Sequence, residues 1–233
     1  MSNSYFCFKQ FRINQDKCGM KVGTDGTLLG AWASGGKRIL DIGTGTGLIA
    51  LMMAQRFPLA FVQALDIDCL ACEQAMENIA NSPFSSRINV EHIPVQDFVC
   101  EKKFDSIVCN PPFFVDSLGC PDDRRHMARH TSSLSFADLF RSAANLLSDC
   151  GVFSIVVPVE SLSDVESAAV MSSFRCMRKC AVRTVPHKVP RRYLLAFSKG
   201  NISDFEYSEE CIEDANHQRS EWYSKLTSEF YLH

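Results

Sequence analysis

Short apolar runs recur along the chain at Arg38–Ile42, Phe61–Asp66, Ile88–Ile93 and Phe104–Cys109. Their length predicts strands, and the segments Leu48–Ala54 and Cys69–Ala80 between them predict helices. Ser135-Phe136-Ala137-Asp138 has the pattern of a capping box and opens a further helix running to about Leu147. Gly151–Val157 reads as a fifth strand and Glu160–Ser172 as a helix. Phe174–Val182 and Arg192–Lys199 read as two last strands, joined by a loop containing Pro186 and Pro190. This alternation predicts an α/β architecture: a seven-stranded sheet, mostly parallel with an antiparallel C-terminal strand, and helices on both faces. No internal repeat or low-complexity segment is visible.

The junctions between these elements carry the chemistry. Between the first strand and its helix stands Asp41-Ile42-Gly43-Thr44-Gly45-Thr46-Gly47. Glycines at 43, 45 and 47 tolerate positive φ and let the backbone approach a ligand, while Asp41 can reach a cationic or hydrogen-bonding group. The dinucleotide motif is G-x-G-x-x-G with pyrophosphate on the helix N-terminus; the spacing here is G-x-G-x-G, which suits a ligand without phosphate. Asp66 ends the second strand, where a carboxylate can accept from both ribose hydroxyls; that spacing fits NAD equally well. Asp97-Phe98, after the third strand, offers an acid and an aromatic face for an adenine ring.

The fourth strand ends in Asn110-Pro111-Pro112-Phe113. The lone pair of a planar NH2 nitrogen is delocalised and nucleophilically poor. An asparagine oxygen and a rigid backbone carbonyl, here Asn110 and Pro111, can accept from its two N–H groups and turn the lone pair toward an electrophile. Consecutive prolines restrict the backbone and keep both acceptors aimed. Phe113 supplies a face for stacking. A strand closed by a proline turn is the plain alternative.

Composition and charge narrow the classes. The chain has 233 residues, the size of one domain with a substantial core. No basic apolar leader and no apolar run of about 18 residues is present, so a cytoplasmic protein is expected. The eleven cysteines are odd in number and scattered through predicted elements, so reduced thiols are expected. Cys69-x-x-Cys72 has no second pair at metal-site spacing, and no metal is expected. The net charge of −3 hides a segregation: Ser167 to Ser203 holds no acid, whereas Asp204 to Asp214 holds six and no base. The basic stretch, including Arg183, Lys188, Arg191 and Arg192, suits a phosphate backbone; an ordinary solvated surface is the alternative. Arg124, Arg125, Arg129 and His130 form a second candidate RNA surface, although Asp122 and Asp123 precede them.

With these motifs in this order, the chain resembles class I S-adenosylmethionine-dependent methyltransferases that act on amino groups, over roughly residues 20 to 200. Phe8-Lys9-Gln10-Phe11-Arg12, Met20 to Trp32, Ala128-Arg129-His130-Thr131 and Pro190 to Leu195 resemble the bacterial tRNA1(Val) adenine-N6 methyltransferases. The resemblance implies a Rossmann-like fold, S-adenosyl-L-methionine as cofactor, and a tRNA substrate methylated on the adenosine directly 3′ of the anticodon. It also implies that Lys21 to Asp25, with Thr24 and Asp25 as the candidate contacts, lie over the methionine end of the cofactor. Residues 1–36 would then contribute to the cofactor pocket, 37–203 form the core, and 204–233, acidic then aromatic, pack on it or stay partly mobile. A monomer or weak dimer without an obligate protein partner is expected.

The expected reaction is in-line displacement at a methyl carbon held near the target nitrogen, with positioning dominant. The alkylated nitrogen is acidic enough to lose its proton to water, so His126 and His130 are assigned to RNA contact or structure. Three alternatives remain open from sequence. Release-factor glutamine methyltransferases face the same amide problem, but usually carry a helical domain before the glycine motif, where this chain has 37 residues. Ribosomal RNA guanosine-N2 methyltransferases usually have a duplicated domain. A noncatalytic RNA-binding module would have no need of Asn110 and the three glycines.

Overall fold

The computed structural model describes residues 4–19, 21–111, 134–200 and 204–232. A hairpin of β1 (Tyr5–Cys7) and β2 (Arg12–Asn14) precedes helix α1 (Thr24–Trp32). Strand β3 (Arg38–Ile42), helix α2 (Leu48–Arg56), strand β4 (Phe61–Asp66), helix α3 (Cys69–Ala80) and strand β5 (Ile88–His92) follow as repeated β–α units. Then come β6 (Phe104–Cys109), α4 (Phe136–Leu146), β7 (Leu147–Pro158), α5 (Leu162–Met171), β8 (Arg175–Arg183), β9 (Arg192–Ser198), β10 (Glu206–Cys211) and α6 (Glu221–Thr227). The helix expected from the Ser135 capping pattern is α4. Ser135 Oγ accepts from Asp138 N–H at 3.1 Å and donates to the Asp138 carboxylate at 2.6 Å.

The seven expected strands form one sheet in the order β8-β9-β7-β6-β3-β4-β5, with β10 added outside β8. Among the described strands of this sheet, β9 alone runs against its neighbours. The acidic segment after residue 203 is therefore the eighth strand. It lies parallel to the basic β8, with Glu206 opposite Arg178 and Glu209 opposite Ala181. The charges segregated along the sequence are brought together across the sheet, where Glu209 pairs with Arg183.

Central strands are buried on both faces, which explains their continuous apolar character. Ile39, Val108 and Val156 face one core beneath α1, α2 and α6; Leu40, Ile107 and Ile155 face the other, beneath α4 and α5. Helix α2 is buried at every position from Leu48 to Ala54, wedged between the sheet and α1. Phe8 stacks on Tyr231, Lys9 N–H donates to Phe230 O at 2.8 Å, and Tyr223 and Phe230 are buried, so the two ends of the chain share one aromatic cluster. No helix among the described residues is long and apolar enough to cross a membrane.

Candidate active site

Strand order reverses beside β3, whose neighbours β4 and β6 precede connections on opposite sides. The crevice at the carboxyl ends of β3 and β6 is the position at which open α/β sheets bind ligands. The glycine loop leaves β3 there, and Asn110 leaves β6. Gly43, Gly45 and Gly47 have φ of 72°, 55° and 81°, the left-handed region that glycine enters without strain. Gly43 N–H and Thr44 N–H both donate to Leu65 O at 2.9 Å, tying the loop to β4. Gly45 N–H donates to Asp66 Oδ2 at 2.8 Å. A Cβ on Gly43 would meet nothing within 4 Å, so that face of the loop is open to a ligand. A Cβ on Gly47 would instead lie 3.4 Å from Ala75, so this glycine also serves the packing of α2 on α3.

Asp41 lies fully buried beneath this loop. Its Oδ2 accepts from Thr44 Oγ1 at 2.7 Å and from Ala50 N–H at 3.1 Å, while Oδ1 has no hydrogen-bond partner among the described residues. Burial pushes the carboxyl up to about 7, against the pull of those two hydrogen bonds and with a further push from Asp66. Cys109, opposite Ile42 in the β3–β6 pair, is also buried. Burial, then the charges of Asp41 and Asp66, hold its thiol well above the ordinary range, so it stays protonated beside the site.

Thr24, Asp25, Gly43, Gly45, Asn110 and Arg192 meet around one cavity of about 270 Å³. The first turn of α1 closes it from above. Gly26 makes that approach possible, since a Cβ there would lie 3.1 Å from Leu48 Cδ2 and 3.9 Å from Asn110 Nδ2. Arg192 Nη1 reaches Asp25 Oδ1 at 2.8 Å and joins α1 to β9. Pro111 is buried behind Asn110. Pro112, Phe113, Arg124, Arg125, His126, Arg129 and His130 lie outside the described residues.

Other candidates sit elsewhere. Asp66 spends one oxygen on Gly45 N–H and the other on Asp68 N–H at 3.0 Å, so in this structure it anchors the loop. Its remaining lone pairs are the acceptors left for a ribose. Asp97 is exposed, and Phe98 packs toward Phe104 with ring centroids 6.3 Å apart; neither lines the cavity. The basic block is less uniform than its sequence. Arg183 pairs with Glu209, Arg192 with Asp25, and Lys179 with Glu166, whereas Lys188 and Arg191 are exposed without an ion pair among the described residues. These pairings come from acids outside the block, which a count along the chain does not see.

Sequence reasoning missed several positioning residues. Asn78, on α3 and 1% exposed, accepts from Asn14 N–H at 2.8 Å and donates to Asn14 O and Thr46 O, each at 2.9 Å. One buried amide thus fixes the N-terminal segment and the glycine loop to the same helix. Gln74, one turn earlier, accepts from Lys17 N–H at 2.9 Å. Their helical spacing was the available signal, but polar residues on a helix usually face water. Cys72 is buried and its thiol donates toward Asp66 O at 3.7 Å, and among the described residues no group of three or more metal-ligating side chains occurs.

Comparison with known proteins agrees with this arrangement. Residues 26–181 match the methyltransferase small domain family. A tRNA1(Val) (adenine(37)-N6)-methyltransferase of Bacteroides thetaiotaomicron is 50% identical, with 100% of this chain and 99% of that protein covered. One of the same name from Trichodesmium erythraeum is 42% identical over the same shares. The fold is also that of a crystal structure of a predicted O-methyltransferase from Agrobacterium tumefaciens, with a TM-score of 0.69 at 20% identity, covering 88% of this chain and 96% of that one. A match along the whole length to these relatives, together with the small-domain match, places this chain in the tRNA1(Val) (adenine(37)-N6)-methyltransferase family.

Proposed function

We propose that this protein methylates N6 of an adenosine in tRNA, the one directly 3′ of the anticodon of valine tRNA, using S-adenosyl-L-methionine. The observation that carries the reading is the placement of Asn110 in the same cavity as the open, positive-φ glycines. The residues fit the cofactor: Gly43 leaves an open face for close backbone approach, and the buried Asp41 holds the loop in that shape through Thr44 Oγ1 and Ala50 N–H. When bound, that cofactor supplies an electrophilic methyl group on a sulfonium sulfur. Gly43 and Gly45 would hold it, with Thr24 and Asp25 closing the cavity and the remaining lone pairs of Asp66 accepting from the ribose. Asp97 and Phe98 would contact the adenine, although they lie apart from the cavity.

The chain's work on the substrate is positional. The Asn110 Oδ1 and the Pro111 carbonyl accept from the two N6 protons and orient the nitrogen lone pair. Phe113 stacks on the target base. An anticodon-loop adenosine is largely unpaired, so bringing it into the cavity costs less than extraction from a duplex. Lys188 and Arg191 are exposed cations on the loop that leads to Arg192 in the cavity wall; Arg183 and Arg192 join them when they exchange a carboxylate for phosphate. The enzyme acts in the cytoplasm as a monomer or weak dimer. Incubation with methyl-labelled cofactor and unmodified tRNA, followed by nuclease digestion and mass spectrometry, tests the assignment. N6-methyladenosine beside the valine anticodon is expected; label in ribosomal RNA or a release factor, with none in tRNA, would overturn it.

A further inference from the structure

A second cavity, of about 370 Å³, adjoins the first and shares Asp25 and Arg192 with it. Pro158, the last residue of β7, and Glu160 just after it line one side, and Val189, Pro190 and Arg191 line the other from the loop before β9. Its walls are fixed by the backbone. Val159 N–H donates to Arg191 O at 3.2 Å, Arg191 N–H donates to Val182 O at 3.0 Å, and Pro158 pairs with Arg192 across β7 and β9. Yet its surface is unsatisfied: Val189 is 78% exposed, Glu160 is exposed, and the Arg191 side chain has no ion pair among the described residues. None of these three side chains has a hydrogen bond or ion pair within the sheet among the described residues.

We propose that this cavity is the subsite for a nucleotide adjacent to the methylated adenosine. The inference rests on the RNA methyltransferase reading above and adds a place for one flanking base. An unpaired nucleotide has an apolar face, a hydrogen-bonding edge and a charged phosphate, and the cavity offers a counterpart to each. Pro158, Val189 and Pro190 lie against the base face. Glu160 accepts from an N–H on its edge, and Arg191 meets its phosphate. A carboxylate only accepts, so Glu160 favours a base edge carrying an amino or imino proton over one with acceptors alone. The Asp25–Arg192 pair is the wall between the two cavities, which makes a nucleotide next to the target, rather than a distant one, the occupant within reach. The volume lies within the range of pockets that enclose small ligands.

The test uses unmodified tRNA anticodon arms with an abasic ribose at one or the other nucleotide flanking the target. Steady-state methylation is measured for the wild type, Glu160→Gln and Val189→Asp, with cofactor binding as the control for folding. For the wild type, the abasic arm at one flank should raise KM about tenfold, within the loss expected for one stacked base. In both variants that penalty should shrink to about threefold or less, because the base no longer finds its full subsite. Equal penalties in all three enzymes, or no penalty at either flank, would overturn the subsite alone. Failure of the wild type to methylate either the intact arm or whole unmodified tRNA would overturn the reaction reading, and the subsite with it.

Discussion

Asp25 Oδ1 and Arg192 Nη1 stand 2.8 Å apart, where the first turn of α1 meets the start of β9. The pair links the N-terminal segment to the far half of the sheet, at the boundary of both cavities. Its side chains are 37% and 20% exposed and the two contacting atoms, themselves buried, do not meet in hydrogen-bond geometry, so partial screening and poor alignment keep the attraction weak. Arg192→Gln should therefore lower the unfolding free energy by less than about 1 kcal/mol in urea titration. A loss above about 3 kcal/mol would mark a buried structural pair instead.

Asp41 gives the protein a pH dependence of known sign. Its carboxyl is raised from 3.8 to about 7 by burial. Between those values the unfolded chain has lost this proton and the folded chain keeps it, so stability falls as pH rises through the window and levels off above it. Asn at this position retains an oxygen to accept from Thr44 and Ala50 but does not titrate. Relative to Asp41→Asn, the wild type should thus lose stability between about pH 4 and about pH 7, measured by urea unfolding at each pH. A difference between the two proteins that stays constant with pH would contradict a raised, burial-shifted Asp41 carboxyl.

Helix α1 reaches the site because Gly30 lets it pack closely on α2. A Cβ there would lie 2.7 Å from Met52 Sδ and 3.0 Å from Met52 Cβ. Gly30→Val should destabilise the protein by about 1 to 3 kcal/mol through overpacking, more than the few tenths returned by better helix propensity. Thermal unfolding measures the balance, and unchanged or raised stability would show that α1 is free to shift.

Lys188 and Arg191 are exposed on the loop before β9. If both meet phosphates, replacing them with Gln should weaken tRNA binding and reduce the slope of log affinity against log salt by about 1.4, or roughly 0.7 for each single-strand contact. Binding measured at several salt concentrations decides this. An unchanged slope would return these residues to ordinary solvated surface.

Much of this organisation is legible in sequence because its signals are local. The apolar runs of β3, β4 and β6, the glycine spacing after Ile42 and the Asn-Pro turn after Cys109 each fit within a few residues, and the fold places them side by side. Relationships between distant residues leave no such trace. Glu209 reads as part of an acidic tail until β10 is laid beside β8, and Arg192 reads as free surface until Asp25 is brought to it. Asn78 and Gln74 look like a solvated helix face, but the N-terminal segment covers them and donates to both amide oxygens. Asp97-Phe98 shows the reverse: an acid and an aromatic in the expected order, with the ring packed toward Phe104.

The central claim is that Asn110 orients the target amine in the cavity built by the glycine loop. Asn110→Ala, assayed for tRNA methylation under single-turnover conditions alongside cofactor binding by calorimetry, tests it most directly. The expected result is a loss of about 10² or more in rate, the size of removing one oriented polar group, with cofactor affinity within a few fold of the wild type. Near-normal turnover would contradict the account and remove Asn110 from the reaction.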